Sequence, residues 1–418
     1  MIKSLKKSKS FWIYFSTTLL NQLIPFLILP ILTHYLSVKD YGTLTLFQTI
    51  LAFIMPIISM SLSRQLDKYF FQQEKTFIAS LIFQIFVIFH LMTLMIMLLL
   101  PIIDSLFHIE FSIIWLYLLV SIALSNSINL ILSILFRNLN YVYFYGAFQI
   151  FRTVINVGLS LLLIVYFDYG YEGRFIGIMV SSYIGSIIAL YFLYKYNWIS
   201  FRIDFTLLKK IWKISLPMIP FGLATIIITM SDIFFIKEMC SVEIVGLYSI
   251  GLMFGKTIVL IQGSVTNVSE PWVLRQLSQK NDHSKVKIVK FIWLYHLGMI
   301  FLVLIGTYFS YLAIDMMVDQ KFHGGKEFVP IIMLAYMIRG LQHMFLPILI
   351  YKDKTNFMAM NTFFSALINI FLNYFLILYY GAIGAAYATL ITFLISYCVV
   401  FFYSQRIFPL PLWSFRDE

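Results

Sequence analysis

Charged residues are scarce in this sequence. Lys, Arg, Asp and Glu make up 12% of its 418 residues, against about 25% in an ordinary soluble domain. Hydrophobic residues make up 61%, more than a water-soluble fold can bury. The composition therefore excludes a soluble enzyme. It predicts an all-α integral membrane protein, because a helix satisfies its own backbone hydrogen bonds in lipid.

Cysteine is also rare, with Cys240 in a short loop and Cys398 inside an apolar run. Two such positions give no disulfide framework. The histidines form no H-E-x-x-H pattern, so we expect neither a metal centre nor a cofactor. The net charge is +11, but the basic residues lie in short gaps between apolar runs. We therefore expect no nucleic-acid partner.

Long apolar runs recur along the whole chain. A membrane-spanning helix needs about 20 mostly apolar residues, and the runs predict twelve such helices. The connections between them are too short for a separate catalytic domain. The predicted spans are 11–34, 42–63, 76–100, 111–136, 142–167, 175–194, 214–236, 246–268, 291–314, 328–350, 357–379 and 384–405.

The distribution of positive charge predicts the orientation of these spans. With both termini placed in the cytoplasm, most lysines and arginines fall on the cytoplasmic side, as the positive-inside rule requires. The outer loops hold only Lys39, Arg174, Lys237, Lys321 and Lys326. We therefore predict a multi-pass membrane protein with both termini in the cytoplasm.

The two halves of the chain resemble each other. SVKDYG at 37–42 matches SVEIVG at 241–246, and DYGYEG at 168–173 matches YYGAIG at 379–384. We predict two six-helix lobes, residues 1–195 and 214–418, joined by an amphipathic cytoplasmic linker at 196–213. Because six spans return the chain to the same side, the lobes form a parallel pseudo-repeat, which predicts a central cavity between them and alternating access.

Three basic residues lie inside predicted spans: Arg152, Lys256 and Arg339. Each costs about 2.5–3.5 kcal/mol at a helix centre, so we expect them to face a water-filled cavity that binds an anion, or to pair with acids such as Glu270. Arg64, at the inner end of the second span, is placed either at the mouth of the same path or at the lipid surface.

Polar residues follow one face of the fifth span, where Gln149, Arg152, Asn156 and Ser160 recur every three or four residues. A similar stripe on the eleventh span includes Asn369 and Asn373. Such stripes either line a substrate path or hold helices together by hydrogen bonds. We predict Gln149 and Asn156 as substrate-binding residues beside Arg152, with the second role left open.

Several segments resemble those of Wzx-type flippases, which carry O-antigen or other polysaccharide repeat units. That family belongs to the superfamily of multidrug/cation antiporters and lipid II flippases. The segments that carry the resemblance are LTHYLSVKDYG at 32–42 with Pro30, LPMIPFGLATIIITMSD at 216–232, VGLYS at 245–249, Glu270-Pro271, IYKDKT at 350–355 and NIFLNYFLILYYGAIGAAYATL at 369–390.

The resemblance implies that the protein moves a polyprenyl-diphosphate-linked oligosaccharide from the cytoplasmic to the outer leaflet. Its partners would be that substrate, the membrane lipids and the polysaccharide polymerase machinery. By resemblance alone, Asp232 with Asn369, Asn373 or Thr389 would form a Na⁺ or H⁺ coupling site. A helix cap or an ion pair is the other expectation for Asp232.

Two other functions remain open. A drug or metabolite antiporter of the same fold would favour an acidic lining, whereas the charges within these spans are mainly basic. A membrane polymerase or acyltransferase would need a catalytic constellation, and the sequence shows none. We therefore expect a transporter rather than an enzyme.

Overall fold

The computed structural model describes residues 2–59, 62–107, 111–279 and 281–411. Within these ranges the chain is helical, without β-strands. Eleven segments of the described residues are long and apolar enough to span a membrane, and the shorter apolar helix Leu23–Tyr35 lies within the first predicted span. The prediction of an all-α membrane fold is confirmed.

Within the ranges just given, the first half of the chain contains eight helices. Apolar runs set their extents, and polar turns separate them. They are α1 (Ile2–Tyr35), α2 (Val38–Ser59), α3 (Ser63–Phe70), α4 (Lys75–Phe107), α5 (Ile113–Asn138), α6 (Val142–Val165), α7 (Gly170–Lys195) and α8 (Phe205–Ser215).

The described residues of the second half form eight more helices and a 3₁₀ segment at Gln320–Phe328. These helices are α9 (Met218–Met239), α10 (Val242–Gly255), α11 (Ile258–Ser278), α12 (Asp282–Met317), α13 (Val329–His343), α14 (Leu346–Tyr351), α15 (Thr355–Tyr380) and α16 (Ile383–Ile407). Two predicted spans are thus interrupted. The span at 246–268 is divided into α10 and α11, and the span at 328–350 into α13 and α14.

The contacts divide the chain into two compact units. The first consists of the residues up to Asp40 together with Leu46–Leu223, and the second of Tyr41–Thr45 together with Ala224–Glu418. The helix α8, in the predicted linker, groups with the first unit. In that unit α7 packs against both α5 and α6, and in the second unit α16 packs against both α13 and α15.

The internal repeat is visible in local backbone geometry. Asn140 and Asp353 both adopt a left-handed conformation with φ 56°. Each follows the C-terminus of a helix, and the next residue's N–H donates to the carbonyl five residues back, as in a Schellman motif. Gly170 and Gly381, matched in the sequence repeat, have φ 51° and 66°. The same turns therefore precede and follow the fifth span of each half.

The paired SV motifs also begin helices in the same way. The Ser37 hydroxyl accepts a hydrogen bond from the backbone N–H of Asp40, and the Ser241 hydroxyl accepts one from Ile244. A serine in this position satisfies a backbone donor that the first helical turn leaves free. The short sequence matches therefore mark equivalent helix starts.

Candidate substrate and cation sites

Lys256 lies at the interruption between α10 and α11 rather than inside a continuous helix. Its Nζ donates to the carbonyl oxygen of Thr229 on α9 at 3.4 Å. The same atom lies 5.5 Å from the centroid of the Tyr336 ring on α13. Discontinuous helices expose backbone groups that polar ligands can use. The break therefore places a positive charge beside a backbone carbonyl and an aromatic face.

Arg339 contacts the same aromatic ring. Its guanidinium carbon lies 5.9 Å from the centroid of Tyr336, one turn earlier on α13, and 5.4 Å from that of Phe393 on α16. Two cations therefore share the Tyr336 ring, which is almost fully buried. Among the described residues Arg339 forms no ion pair with a carboxylate. This pair of positive charges favours an anion nearby.

Asp232 is the acid nearest to this cluster along α9. Its side chain is 3% exposed. One carboxylate oxygen accepts a hydrogen bond from the Tyr248 hydroxyl at 2.5 Å, and the other accepts from the backbone N–H of Ile233 at 3.0 Å. The charge of Lys256 acts on it through space, although no direct ion pair forms between them. Asp232, Lys256 and Arg339 are thus brought into one region of the second unit.

The predicted amide residues, Asn369 and Asn373, form hydrogen bonds with Ser231 and not with the carboxylate of Asp232. Asn369 Oδ1 accepts from Ser231 Oγ at 2.9 Å and from Asn373 Nδ2 at 3.1 Å. Asn369 Nδ2 donates to Thr392 Oγ1 at 3.3 Å. No hydrogen bond joins Asp232 to Asn369, Asn373 or Thr389 in the part of the chain that the structure describes.

Two side-chain oxygens on α15 and α16, Asn373 Oδ1 and Thr389 Oγ1, are buried without a hydrogen-bond partner among the described residues. A buried polar atom without a partner costs free energy. Oxygens of this kind, like those of the Asp232 carboxylate, are ligands that suit a small hard cation. No group of three or more His, Cys, Asp or Glu side chains forms a metal site within the described residues.

Arg152 points into the helical bundle of the first unit. Its Nη2 donates to Asn126 Oδ1 at 2.9 Å, and its guanidinium carbon lies 5.6 Å from the centroid of the Phe148 ring. Gly185 of α7 leaves room for it, because a Cβ there would lie 2.8 Å from Arg152 Nε. The neutral amide oxygen of Asn126 holds the guanidinium, and no carboxylate among the described residues pairs with it.

The rest of the polar stripe on α6 also contacts neighbouring helices. Gln149 Nε2 donates to Ser133 Oγ on α5 at 3.3 Å. Asn156 Oδ1 and Ser160 Oγ both accept from Arg174 Nη1, at 2.5 and 2.9 Å. The stripe of Gln149, Arg152, Asn156 and Ser160 therefore ties α6 to α5 and α7. Hydrogen bonding between helices, one of the two roles considered for it, is present at each position.

The placement of Arg174 differs from the sequence interpretation, which put it in an outer loop. The helix α7 begins at Gly170, five residues before the predicted span, so Arg174 lies in its first turns. It follows Gly173, whose absent side chain lets α7 approach α6 at Leu163 and Ile164. The DYGYEG motif at 168–173 could have revealed this early helix start, because the residues from Gly170 onward already belong to α7.

Arg64 is the remaining predicted site residue. Its backbone lies in α3, but its side chain falls outside the described part of the chain. Its role at the mouth of a substrate path stays a prediction.

Several residues around the candidate sites were not predicted. They are Asn126, Asn129 and Ser182 around Arg152, and Tyr248, Ser231 and Tyr336 in the second unit. Each is an ordinary polar or aromatic residue in an apolar run, and its partner lies on a helix distant in sequence.

Comparison with known proteins identifies the family. The family described as "Polysaccharide biosynthesis protein" matches residues 8–277, and the MatE family matches residues 217–375. A protein of the Lsg locus of Haemophilus influenzae is 34% identical over 67 residues. That match covers 16% of this chain and only 17% of the length of the relative.

The fold is similar to those of solved transporters. An inward-facing multidrug resistance MATE family transporter of the MOP superfamily superposes with a TM-score of 0.73 at 14% identity, over 92% of this chain and 94% of the other. The lipid II flippase MurJ in an inward closed conformation superposes with a TM-score of 0.71 at 15% identity, over 94% and 87%. The chain is a multi-pass membrane protein with this fold, and it belongs to the polysaccharide biosynthesis protein family.

Proposed function

We propose that the protein flips a polyprenyl-diphosphate-linked oligosaccharide from the cytoplasmic to the outer leaflet of the bacterial inner membrane, with both termini in the cytoplasm. The product would serve the synthesis of a surface polysaccharide such as O-antigen or capsule. The observation that carries the proposal is the pair of cations, Lys256 and Arg339, around the Tyr336 ring.

Electrostatics favours an anionic substrate for this pair. Two positive charges that share one buried ring repel each other, and the repulsion is stronger in a low-dielectric interior than in water. A diphosphate carries clustered negative oxygens. The Arg339 guanidinium suits two of these oxygens at once, and the Lys256 ammonium acts as a point charge. Matching a family of polysaccharide biosynthesis proteins supports a lipid-linked sugar as the carrier of that diphosphate.

The Arg152 guanidinium would contribute a further positive charge in the first unit. It is held by Asn126 and is half-buried. Its removal would then weaken binding of an anionic substrate to the first unit, as well as packing of the bundle.

We further propose that transport is coupled to Na⁺ or H⁺ through Asp232. If a cation binds there, the carboxylate of Asp232 and the partnerless oxygens of Asn373 and Thr389 would hold it, with Asn369 alongside. The ion would supply positive charge that neutralises Asp232. Tyr248 holds the Asp232 carboxylate at 2.5 Å and would orient it.

Complementation tests the proposed function. The gene is deleted in its host, and wild type, the Lys256→Gln/Arg339→Gln variant or the control Lys287→Gln is expressed at equal membrane levels. Lys287 is an exposed lysine on α12. We expect the deletion to abolish the surface polymer and to leave lipid-linked repeat units facing the cytoplasm. Wild type and Lys287→Gln should restore the polymer, whereas the double variant should not.

An intact polymer after deletion would refute the flippase proposal. The second candidate, a drug or metabolite antiporter, would then replace it. The match of the MatE family to residues 217–375, which include the buried Asp232, favours that candidate. Efflux of organic cations from cells that express the protein would be the corresponding assay.

A further inference from the structure

A cluster of exposed positive charge lies on the first unit, at α3, the start of α4 and α8. We call it the basic platform and define it by Lys68, Lys75, Arg202, Lys209, Lys210 and Lys213, all of them exposed. Segments 68–75 and 196–215, which contain it, have only two acids, Glu74 and Asp204. Asp204 caps α8 by accepting a hydrogen bond from the Leu207 N–H at 3.0 Å. The platform is therefore strongly positive.

Specific contacts hold the linker on the helices beneath it. The backbone carbonyl of Arg202 accepts a hydrogen bond from Gln84 Nε2 on α4 at 2.8 Å, and Ser200 N–H donates to the Ala79 carbonyl at 3.2 Å. Trp198 stacks on Phe70 with ring centroids 5.9 Å apart. These contacts fix residues 198–202 on the first unit.

The lysines of α8 lie beside residues 198–202 and add positive charge to the same surface of the first unit. Leu207, Ile211 and Ser215 follow one face at four-residue spacing and are buried. The lysines therefore lie on the other faces. Lys210 Nζ lies 5.6 Å from the ring centroid of Tyr69, and Lys75 Nζ lies 5.0 Å from that of Trp198. Charges from α3, α4 and α8 thus converge on one surface.

Large apolar side chains are exposed between these charges. Phe71 and Phe205 are each 75% exposed, Phe201 66% and Ile203 53%. The positive-inside rule alone requires the lysines but gives no reason for exposed aromatic residues beside them. In water this surface would be costly, at about 25 cal/mol per Å² of apolar area. At a membrane interface the apolar side chains enter the acyl boundary and the lysines reach the phosphates.

We propose that the basic platform is a docking surface for anionic phospholipid headgroups of the inner leaflet. Charge complementarity selects phosphatidylglycerol-like lipids over zwitterionic ones, and Phe71, Phe201 and Phe205 insert beside the acyl chains. This proposal does not depend on which substrate the protein transports.

Lipid titration of the full-length detergent-solubilised chain, followed by native mass spectrometry, tests the proposal. We expect phosphatidylglycerol to bind at least tenfold more tightly than phosphatidylcholine, and added salt to weaken the binding. Each lysine near an anionic surface contributes about fivefold in affinity. The Lys209→Gln/Lys210→Gln/Lys213→Gln variant should therefore lose about 100-fold in phosphatidylglycerol affinity.

A matched control removes the same charge elsewhere. The variant Arg275→Gln/Lys287→Gln/Lys290→Gln neutralises three basic residues on α11 and α12, and should retain phosphatidylglycerol affinity within about twofold. Phe201→Ser/Phe205→Ser keeps all the lysines and should weaken phosphatidylglycerol binding severalfold. Size-exclusion profiles identify any variant that fails to fold, and the remaining variants decide the test.

Three results would overturn the proposal. Equal affinity of wild type for phosphatidylglycerol and phosphatidylcholine would show that the protein does not distinguish lipids by the charge of their headgroups. Equal losses in the platform and control variants would show a general effect of net charge. Displacement of the lipid by inorganic pyrophosphate would identify a site for soluble phosphates rather than a lipid surface.

Discussion

Substitution of Gly185 by alanine should release Arg152 from the bundle of the first unit. A Cβ at Gly185 would lie 2.8 Å from Arg152 Nε, 2.9 Å from its Cδ and 2.9 Å from Asn129 Oδ1. Real side chains do not approach so closely, so the guanidinium must move. Its hydrogen bond to Asn126 Oδ1 at 2.9 Å would then break.

The expected cost follows from that hydrogen bond. Hydrogen bonds to charged groups contribute about 1.5–3 kcal/mol in soluble proteins, whereas those between membrane helices average about 0.6 kcal/mol with a maximum near 1.7. We expect Gly185→Ala to destabilise the protein by about 1–2 kcal/mol relative to a neutral Gly→Ala change. The corresponding decrease in the ratio of folded to unfolded protein is roughly five- to thirtyfold.

Gly158 on α6 provides the matched control. A Cβ there would meet no atom within 4 Å. Gly158→Ala should therefore show only the gain in helix propensity, about 1 kcal/mol at most. Thermal loss of the monodisperse peak in detergent compares the two variants. Polymer synthesis in complemented cells measures their activity.

A double-mutant comparison isolates the role of Arg152. In an Arg152→Ala background the displaced side chain is absent, so Gly185→Ala should cost much less than in wild type. The reasoning fails if Gly185→Ala is as stable as Gly158→Ala, or if its cost is the same with and without Arg152.

Substitutions at three further positions and one labelling experiment test other features. Arg174→Ala should lower the melting temperature because it removes the hydrogen bonds to Asn156 and Ser160. Arg174→Lys should recover only part of the loss, because an ammonium group lacks the fork of the guanidinium. An unchanged melting temperature in Arg174→Ala would contradict this. Tyr336→Leu should reduce transport about tenfold because it removes the ring that Lys256 and Arg339 share. Tyr336→Phe keeps the ring and should retain activity. Equal activity of the two variants would argue against a role for the ring. The proposed coupling through Asp232 predicts that transport by wild type depends on Na⁺ or pH and that Asp232→Asn abolishes this dependence; transport by wild type that is independent of both, or a dependence unaltered in Asp232→Asn, would refute it. Partial burial raises the pKa of the exposed Cys240 thiol in the α9–α10 loop, and only the thiolate reacts with maleimide. A membrane-impermeant maleimide should therefore label Cys240 on intact cells at a rate that still rises above pH ~8.5, whereas labelling only after lysis would reverse the predicted topology.

The shared position of Lys256, Arg339 and Asp232 could be predicted only in part. Their charge within apolar runs marked them as functional candidates. Their grouping depends on Tyr336 and Tyr248, which the sequence does not distinguish from its other tyrosines. The predicted contact of Asp232 with Asn369 was close in space but different in detail, because the neighbouring Ser231 contacts the amide.

Arg152 and Arg174 also show that the sequence predicts the face of a helix on which a side chain lies but not the helix that this face contacts. The periodicity of α6 correctly placed Gln149, Arg152, Asn156 and Ser160 on one polar stripe. It could not say which helices that stripe meets, and it missed Arg174 as the partner of Asn156 and Ser160. A helical period fixes the direction of side chains around one axis, but it contains no information on the neighbouring axis.

The sequence by itself determined that the protein lies in lipid, where its apolar helices occur and which of its segments repeat. These properties depend on sums of transfer free energies over about 20 residues and on local turn chemistry, as at Gly170 and Gly381. Only the tertiary structure decided which polar groups meet. It broke the eighth span at Lys256, directed Arg152 toward Gly185 and placed α8 on α4. Each of these outcomes requires close approach of helices distant in sequence, and the free-energy difference between alternative pairings of similar apolar surfaces is too small for composition to reveal.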